Sequence, residues 1–274
     1  MEGNNITDEE IDLLLHELFR AYGYDFTNYA KASLRRRVVR LMIIDRFPSF
    51  AELYYRVKHD HTYLQRIVEQ LTVNVTEMFR DPQLFATLRE KVLPVLATHP
   101  IIRVWSAGCS TGEEAYSIAV LLDELGLLHK SVIYATDINP TIIENIKKGI
   151  FPMSRMKQYS ENYIAAGGKK DFSQYYIANY DLAKFNDKLK EKIIPATHNL
   201  VTDRSFNEFQ LVLCRNVLIY FDKVLQDKVL TLFDASIEKL GFLVLGSKEN
   251  IRFTDIVGKY KQVDGKEKIW RKIA

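Results

Sequence analysis

Cysteine is scarce in this chain, with two residues in 274, and no apolar run approaches the roughly 18 residues that a membrane-spanning helix needs. Cys109 and Cys214 lie in apolar, strand-like segments without a CxxC pair or a nearby histidine. We therefore expect two buried thiols and no disulfide or zinc site. Internal repeats and low-complexity linkers are also missing, whereas 47% of the residues are hydrophobic. This composition predicts one large folded domain or two unequal ones.

Signals for export are missing as well. The chain begins MEGNNITDEE, which is acidic and has neither a basic n-region nor a small-residue cleavage site. We therefore expect a cytoplasmic protein. The six histidines form no evident constellation, so we assign them to surface or capping positions and expect no bound metal.

The first seventy or so residues are predicted to be helical. Two capping boxes, TDEE at 7–10 and SFAE at 49–52, precede apolar residues at helical spacing. Asp81 followed by Pro82 supplies an N-cap and a first-turn proline, which predicts a helix through Leu96.

Beyond that helix, β-rich runs alternate with helical segments. The runs are IIRVWSA, SVIYATDI, FQLVLCRN and GFLVLGS, and this alternation predicts an α/β fold with a mostly parallel sheet covered on both faces. Asp264-Gly265 lies between two alternating segments and predicts a C-terminal antiparallel hairpin. Residues 151–195 are Lys-rich and do not resemble parallel strands, which indicates an inserted subdomain.

A glycine-bearing loop, residues 108–112, falls where the first strand should meet its helix, and Glu113 and Glu114 follow it directly. Ligands bind at this edge of such sheets, but two carboxylates beside a phosphate would be electrostatically unfavourable. A cationic ligand with an adenosine group, such as S-adenosylmethionine, fits better, and Asp137 after the next strand is placed to bind ribose hydroxyls. The alternative is that the glutamates only favour the helix dipole and Asp137 only caps the helix at Pro140.

Five motifs carry a family resemblance: TVNVTEMFRDP, VWSAGCSTGEEAYSIAVLL, YATDINP, HNL and CRNVLIYFDK, in this order. With them nearly the whole chain resembles the CheR-type chemotaxis receptor methyltransferases, which methylate receptor glutamate side chains. The resemblance implies a helical domain at 1–76 and a class I S-adenosylmethionine-dependent methyltransferase domain at 77–274. A small β-subdomain would be inserted at about 152–195.

The resemblance also implies a set of side chains around S-adenosylmethionine and its product S-adenosylhomocysteine. Of the two adjacent glutamates we expect Glu113, and not Glu114, to contact the cofactor. The implied set is Asn74, Thr76, Arg80, Ala107, Gly108, Glu113, Asp137, Asn199, Leu200, Asn216 and Val217.

Carboxylate methylation is a displacement in which an anion meets a sulfonium and both charges disappear. A site that excludes water and aligns the reactants therefore gains rate without a strong base, since a glutamate is already ionised at neutral pH. The resemblance offers Arg80 and Tyr220 near the transferred methyl. We expect Arg80 to position the carboxylate, and Tyr220 to donate one hydrogen bond or form the pocket wall. Without the family, Arg80 could equally pair with Asp81 or a helix end.

The segment KASLRRRVVR is strongly basic and predicted to be an amphipathic helix. Leu34, Val38 and Leu41 would share one face, while Arg36 and Arg40 point away from it. Such a face is usually only solvated. The functional interpretation is a docking surface for the Glu-bearing helical cytoplasmic region of a membrane chemoreceptor.

One departure from the family concerns a glycine-bearing hairpin loop with which some members hold a receptor's C-terminal peptide. The corresponding segment, QYYIANYDLAKFNDKL, has no glycine and a shorter turn around residues 179–181. We therefore expect no peptide tethering here, and we expect a monomer.

Other function classes stay open. A methyltransferase acting on another protein or on nucleic acid would share the fold, but CRNVLIYF stands where base methyltransferases carry an Asn/Asp-Pro-Pro-aromatic motif. The aromatic residues are also not interleaved with basic ones, as a single-strand binding track requires. The acidic pair disfavours a dehydrogenase. A non-catalytic adaptor that keeps the cofactor site is the remaining alternative.

Overall fold

The structure, a computed structural model, describes residues 6–22, 24, 26–27, 29–72 and 76–274. Contacts divide the chain into two compact units. The first comprises Met1–Asn74 and Leu218–Val229, and the second comprises Val75–Val217 and Leu230–Ala274. None of the helices in the described residues has the length and apolar character needed to cross a membrane.

The first unit is helical, as the sequence predicts. It also takes in the 3-10 turn Leu218–Tyr220 and the first residues of a later helix. Its own helices are α1 (Asp8–Tyr22), α2 (Lys31–Ile44), α3 (Phe50–His59) and α4 (Tyr63–Leu71).

Both predicted capping boxes lie at helix starts. The Thr7 N–H donates to Glu10 Oε2 at 2.9 Å, and the Glu10 N–H donates to Thr7 Oγ1 at 3.2 Å. At α3 the Glu52 N–H donates to Ser49 Oγ at 3.4 Å. These bonds satisfy amide groups that the first helical turn leaves without intrahelical partners, so local sequence fixes where α1 and α3 begin.

The second unit alternates strands and helices. Its helices are α5 (Pro82–Thr87), continued by a π-helical turn (Leu88–Val92) into α6 (Leu93–Leu96), then α7 (Glu113–Glu124), α8 (Pro140–Lys148), α9 (Met153–Ala165) and α10 (Asp187–Lys190). Helix α11 (Lys223–Ser236) is divided between the units and belongs to the second from Leu230 on. The strands of the second unit are β1 (Ile102–Ala107), β2 (Ser131–Asp137), β3 (Ile150–Pro152), β4 (Tyr176–Asn179), β5 (Leu182–Phe185), β6 (Ile193–Thr197), β7 (Phe209–Cys214), β8 (Ile237–Leu245), β9 (Tyr260–Asp264) and β10 (Ile269–Lys272).

Seven strands form the main sheet in the order β6-β2-β1-β7-β8-β10-β9. The pairs from β6 to β8 are parallel, and β10 is antiparallel to both β8 and β9. All six residues of β7 are buried, as expected for a parallel strand covered on both faces. The mostly parallel sheet with a final antiparallel hairpin is therefore confirmed.

The inserted segment contains more than the expected β-strands. The short strands β3, β5 and β4 form an antiparallel sheet in that order, and helix α9 lies in the chain between β3 and β4. A two-residue turn, Tyr180–Asp181, joins β4 to β5, which confirms the short turn in this region. Residues 193–195 belong to β6 of the main sheet, so the insertion ends before them.

Two local predictions were wrong. The Asp81 side chain does not cap α5; its backbone is left-handed at φ 59°, and the carboxylate pairs with Arg215 instead. Strand β6 was missed because it is short and contains Pro195. As the outermost strand of the main sheet it can accommodate a proline, which lacks a backbone N–H.

Candidate functional site

The glycine loop after β1 is held in a tight, left-handed path. Gly108, Ser110 and Gly112 have φ angles of 69°, 51° and 95°. A Cβ at Gly108 would lie 2.5 Å from Cγ2 of Val217, and one at Gly112 would lie 2.8 Å from Cγ1 of Ile146. Glycine is therefore required at both positions by backbone angle and by packing.

Asp137 ends β2 beside this loop and is 8% exposed. Its carboxylate accepts hydrogen bonds from the Ser110 N–H at 3.0 Å and the Asn139 N–H at 3.1 Å. Burial raises the pKa of Asp137, and the backbone N–H groups partly offset that rise. Helix α8 is capped by Asn139, whose Oδ1 accepts from the Thr141 N–H, so Asp137 is not the capping residue.

The two adjacent glutamates have different neighbours. Glu113, 6% exposed, accepts from the hydroxyls of Thr111 at 2.5 Å and Tyr159 at 3.1 Å. Burial raises its pKa, and these hydrogen bonds act in the opposite direction. Glu114 accepts from Ser106 Oγ at 2.7 Å and pairs with Arg215 at 3.1 Å. Its carboxylate is thus neutralised within the protein.

Two further segments end at the same edge of the sheet. After β6, the His198 N–H donates to the Asp137 carbonyl at 3.1 Å, and Asn199 Oδ1 accepts from the Val201 N–H at 2.9 Å. After β7, Asn216 has a left-handed backbone, and its N–H donates to Glu249 Oε2 at 3.1 Å. The carboxyl ends of parallel strands share one edge, so these turns lie with the glycine loop.

Arg80 lies in a turn that precedes α5. Its neighbours Phe79 and Asp81 both have left-handed backbones, with φ angles of 53° and 59°. The Phe79 N–H donates to Ser117 Oγ of α7 at 2.9 Å, and the Arg80 carbonyl accepts from Arg215 Nη2 at 2.9 Å. Asp81 pairs with Arg215 at 2.6 Å, so its carboxylate already has one cationic partner.

The second unit therefore brings together most of the predicted cofactor residues at the edge of its sheet: Ala107, Gly108, Glu113, Asp137, Asn199, Leu200, Asn216 and Val217. Thr76 and Arg80 lie earlier in the same unit. Asn74 lies outside the described residues. Tyr220 belongs to the first unit, where the Arg37 guanidinium lies 4.7 Å from its ring centroid.

Sequence reasoning missed three residues at this edge: Ser110, Tyr159 and Arg215. Ser110 and Arg215 stand inside motifs that the resemblance used, so their position was available but their contacts were not. Tyr159 is 46 residues from Glu113 in sequence, and no local pattern relates the two.

Unsatisfied polar atoms show what this edge could bind. Ser110 Oγ and Asn139 Nδ2 are buried and find no hydrogen-bond partner among the described residues. They flank the Asp137 carboxylate, and Glu113 supplies a second buried negative group nearby. Buried polar groups are normally paired, so a ligand with hydroxyl groups and positive charge fits this set, and a phosphate does not. S-adenosylmethionine meets both requirements.

The strand order and this edge define a class I S-adenosylmethionine-dependent methyltransferase. The sequence profile described as "CheR methyltransferase, SAM binding domain" matches residues 74–269, and "CheR methyltransferase, all-alpha domain" matches residues 9–72. The chain belongs to the CheR methyltransferase family.

Relatives cover nearly the whole chain. A Pseudomonas putida protein named Cher3 is 46% identical over 99% of this chain and 100% of its own length. Chemotaxis protein methyltransferase 2 of Pseudomonas aeruginosa is 31% identical over 89% of this chain and 87% of its own. The chemotaxis protein methyltransferase of Listeria monocytogenes is 29% identical over 85% of this chain and 86% of its own.

Proposed function

We propose that this methyltransferase modifies glutamate side chains in the cytoplasmic helical region of membrane chemoreceptors, as a protein-glutamate O-methyltransferase. Relatives that are named chemotaxis protein methyltransferases support this substrate class. The structural observation that carries the proposal is the surface of α2, where two cations remain available to an acidic partner.

The basic segment is largely occupied by contacts within the first unit. Lys31 pairs with Asp12 at 2.8 Å, and Arg35 pairs with Asp8. Arg37 donates to the Leu71 carbonyl and to Ser33 Oγ.

Arg36 and Arg40 differ from these three cations. Both are exposed, and within the described ranges neither forms an ion pair. Leu34, Val38 and Leu41 are buried on the opposite face, as predicted. The exposed face of α2 thus offers positive charge one helical turn apart, which suits a helix that carries glutamates.

The roles that we propose for the residues at the sheet edge do not require a proton transfer from the acceptor. When bound, S-adenosylmethionine supplies a methyl group on a sulfonium. Asp137 and Glu113 would hold its hydroxyl and cationic groups, and the glycine loop allows close approach of the backbone. The acceptor glutamate is already ionised at neutral pH.

Arg80 would position the acceptor carboxylate through its guanidinium, which can donate two parallel hydrogen bonds. The role of Tyr220 as a second donor stays a prediction. The proposal includes no peptide tethering by the inserted sheet, because the β4–β5 turn has only two residues and no glycine.

The chemistry of the product tests this function directly. The purified protein is incubated with methyl-labelled S-adenosylmethionine and membranes that contain a candidate chemoreceptor, and the labelled receptor is then treated with alkali. Carboxyl methyl esters release their label as methanol, whereas methylated amines keep it. We expect alkali-labile label on the receptor, and none with an Asp137→Ala variant.

The other possible results of this labelling experiment distinguish the alternative functions. Alkali-stable label would indicate an amine acceptor, and labelling of soluble proteins or nucleic acid in place of receptors would reassign the substrate. Binding of S-adenosylhomocysteine without transfer to any fraction would favour the adaptor.

A further inference from the structure

Arg215, the residue that follows β7, is a buried cation. Only 4% of its side chain is exposed. Removing a guanidinium from water is costly, so its position requires specific partners.

Those partners come from two other segments of the second unit. Arg215 Nη1 lies 3.1 Å from Glu114 Oε2 at the start of α7. Nη2 lies 2.6 Å from Asp81 Oδ2 and donates to the Arg80 carbonyl at 2.9 Å. One side chain therefore joins the carboxyl end of β7, the first turn of α7 and the turn that carries Arg80.

Stability alone does not account for this arrangement, because buried ion pairs are often no more stabilising than apolar side chains of the same size. The conformation of the turn gives a reason for the fixed contacts of Arg215. Arg80 stands between two non-glycine residues with left-handed backbones, a conformation that surrounding contacts must hold. The Arg215 guanidinium holds both the carbonyl of Arg80 and the side chain of Asp81.

We propose that Arg215 is a positioning residue that sets the direction of the Arg80 side chain toward the acceptor and the cofactor. The inference rests on the function proposed above for Arg80. Lysine cannot replace arginine in this role, because a single ammonium cannot reproduce a planar fork that serves two carboxylates and a carbonyl.

The test combines Arg215→Lys with Arg80→Ala and measures both S-adenosylhomocysteine affinity by calorimetry and methyl transfer. We expect Arg80→Ala to weaken binding about tenfold and Arg215→Lys about fivefold, with transfer reduced about 50-fold in each. The double variant should lose no more affinity or methyl transfer than Arg80→Ala alone, since both changes remove the same function.

Arg89→Lys is the matched control. Arg89 also forms a buried ion pair in the second unit, with Glu124, and among the described residues none of its hydrogen bonds or ion pairs involves the Arg80 turn. It should lower the melting temperature while leaving binding and transfer within about twofold of the parent. Asp81→Asn is a milder second variant if Arg215→Lys fails to fold, because the Asp81 side chain is 50% exposed. Asp81→Asn should reduce methyl transfer about threefold on its own, and it should cause no further loss when it is combined with Arg80→Ala.

The positioning role would be overturned if the reductions in methyl transfer caused by the single variants multiplied in the double variants. Normal transfer by a folded Arg215→Lys protein would overturn it as well. If Arg80→Ala itself changes neither binding nor transfer, the function proposed for Arg80 fails instead. The binding measurement does not depend on the identity of the acceptor, so the two failures can be told apart.

Discussion

The sheet edge of the second unit and the surface of α2 in the first unit hold their charges in opposite ways. At the sheet edge of the second unit, Glu113 and Asp137 are 6% and 8% exposed, and each accepts two hydrogen bonds from fixed neighbours. On α2 of the first unit, Arg36 and Arg40 are exposed to solvent.

This difference separates two uses of charge. A buried carboxylate depends on particular neighbours and is costly to alter, because any partner left behind stays unsatisfied. An exposed cation is screened and contributes little to the fold, so it can be changed almost freely. The first kind suits recognition of a defined small ligand, and the second suits attraction of a partner.

The largest effect should follow removal of a buried acid. Asp137→Ala deletes the acceptor of two backbone N–H groups and the group expected to bind ribose hydroxyls. We expect S-adenosylhomocysteine affinity to fall about 100-fold, which corresponds to about 2.7 kcal/mol. Calorimetric titration measures this loss. Asp123→Ala removes a carboxylate that pairs with Lys188 instead and should change affinity less than about twofold, so equal losses would refute the assignment.

The second-largest effect on cofactor binding should follow a substitution in the closely packed glycine loop. Gly108→Ala adds a methyl group that meets Val217, whereas Gly126→Ala meets nothing within 4 Å. Their φ angles are 69° and 68°, so the backbone cost is the same, about 1 kcal/mol. We expect Gly108→Ala to cost about 2 kcal/mol more in unfolding free energy and to weaken S-adenosylhomocysteine binding about 30-fold. Equal effects of the two variants in chemical denaturation and titration would show that the loop does not need close packing.

The raised pKa of Glu113 predicts a smaller, pH-dependent effect. Between its ordinary and raised pKa the folded protein holds more protons than the unfolded chain, so this residue's contribution to stability falls as pH rises. A cationic ligand prefers the ionised form, and affinity for S-adenosylmethionine should rise across the same range. We expect Glu113→Gln to weaken binding about tenfold at pH 8 and only about threefold at pH 5.

The amide introduced by Glu113→Gln can still bond with the hydroxyls of Thr111 and Tyr159, so the variant should melt at or above the parent temperature at pH 8. Glu161→Gln, an exposed change on α9, is the control and should leave the pH profile of binding unaltered. A profile that is the same for Glu113→Gln and the parent protein would exclude Glu113 as the cofactor contact and leave Glu114 as the candidate.

Much of the fold follows from local sequence, whereas the site follows only in part. Capping boxes and alternating strands act over a few residues, so the helices of the first unit and the parallel sheet were predictable. Strand β6 was not, because a five-residue edge strand with a proline gives a weak pattern.

The site depends on contacts between distant segments. Arg215 and Asp81 are 134 residues apart, and the sequence favoured capping for Asp81 because that local use is common. The buried arginine with two acidic partners outweighs a cap, since an unpaired Arg215 guanidinium would carry a large desolvation cost. Similarly, the family motifs place Glu113 and Glu114 side by side. Only their neighbours in the fold show that Glu114 pairs with an arginine, whereas Glu113 accepts hydrogen bonds from hydroxyl groups.

The smallest effect on the molecule should come from the exposed charges of α2. Reversing both, as Arg36→Glu with Arg40→Glu, should leave the melting temperature and S-adenosylhomocysteine affinity unchanged, because neither side chain has an ion pair in the described part of the chain. Receptor methylation, measured as kcat/KM at low ionic strength, should fall about fivefold, and the difference should shrink as salt screens the attraction. Lys239→Glu with Lys261→Glu makes the same change in net charge on exposed strand positions of the second unit and should have less effect. Equal losses in the two double variants would mean that overall charge, and not the surface of α2, attracts the receptor.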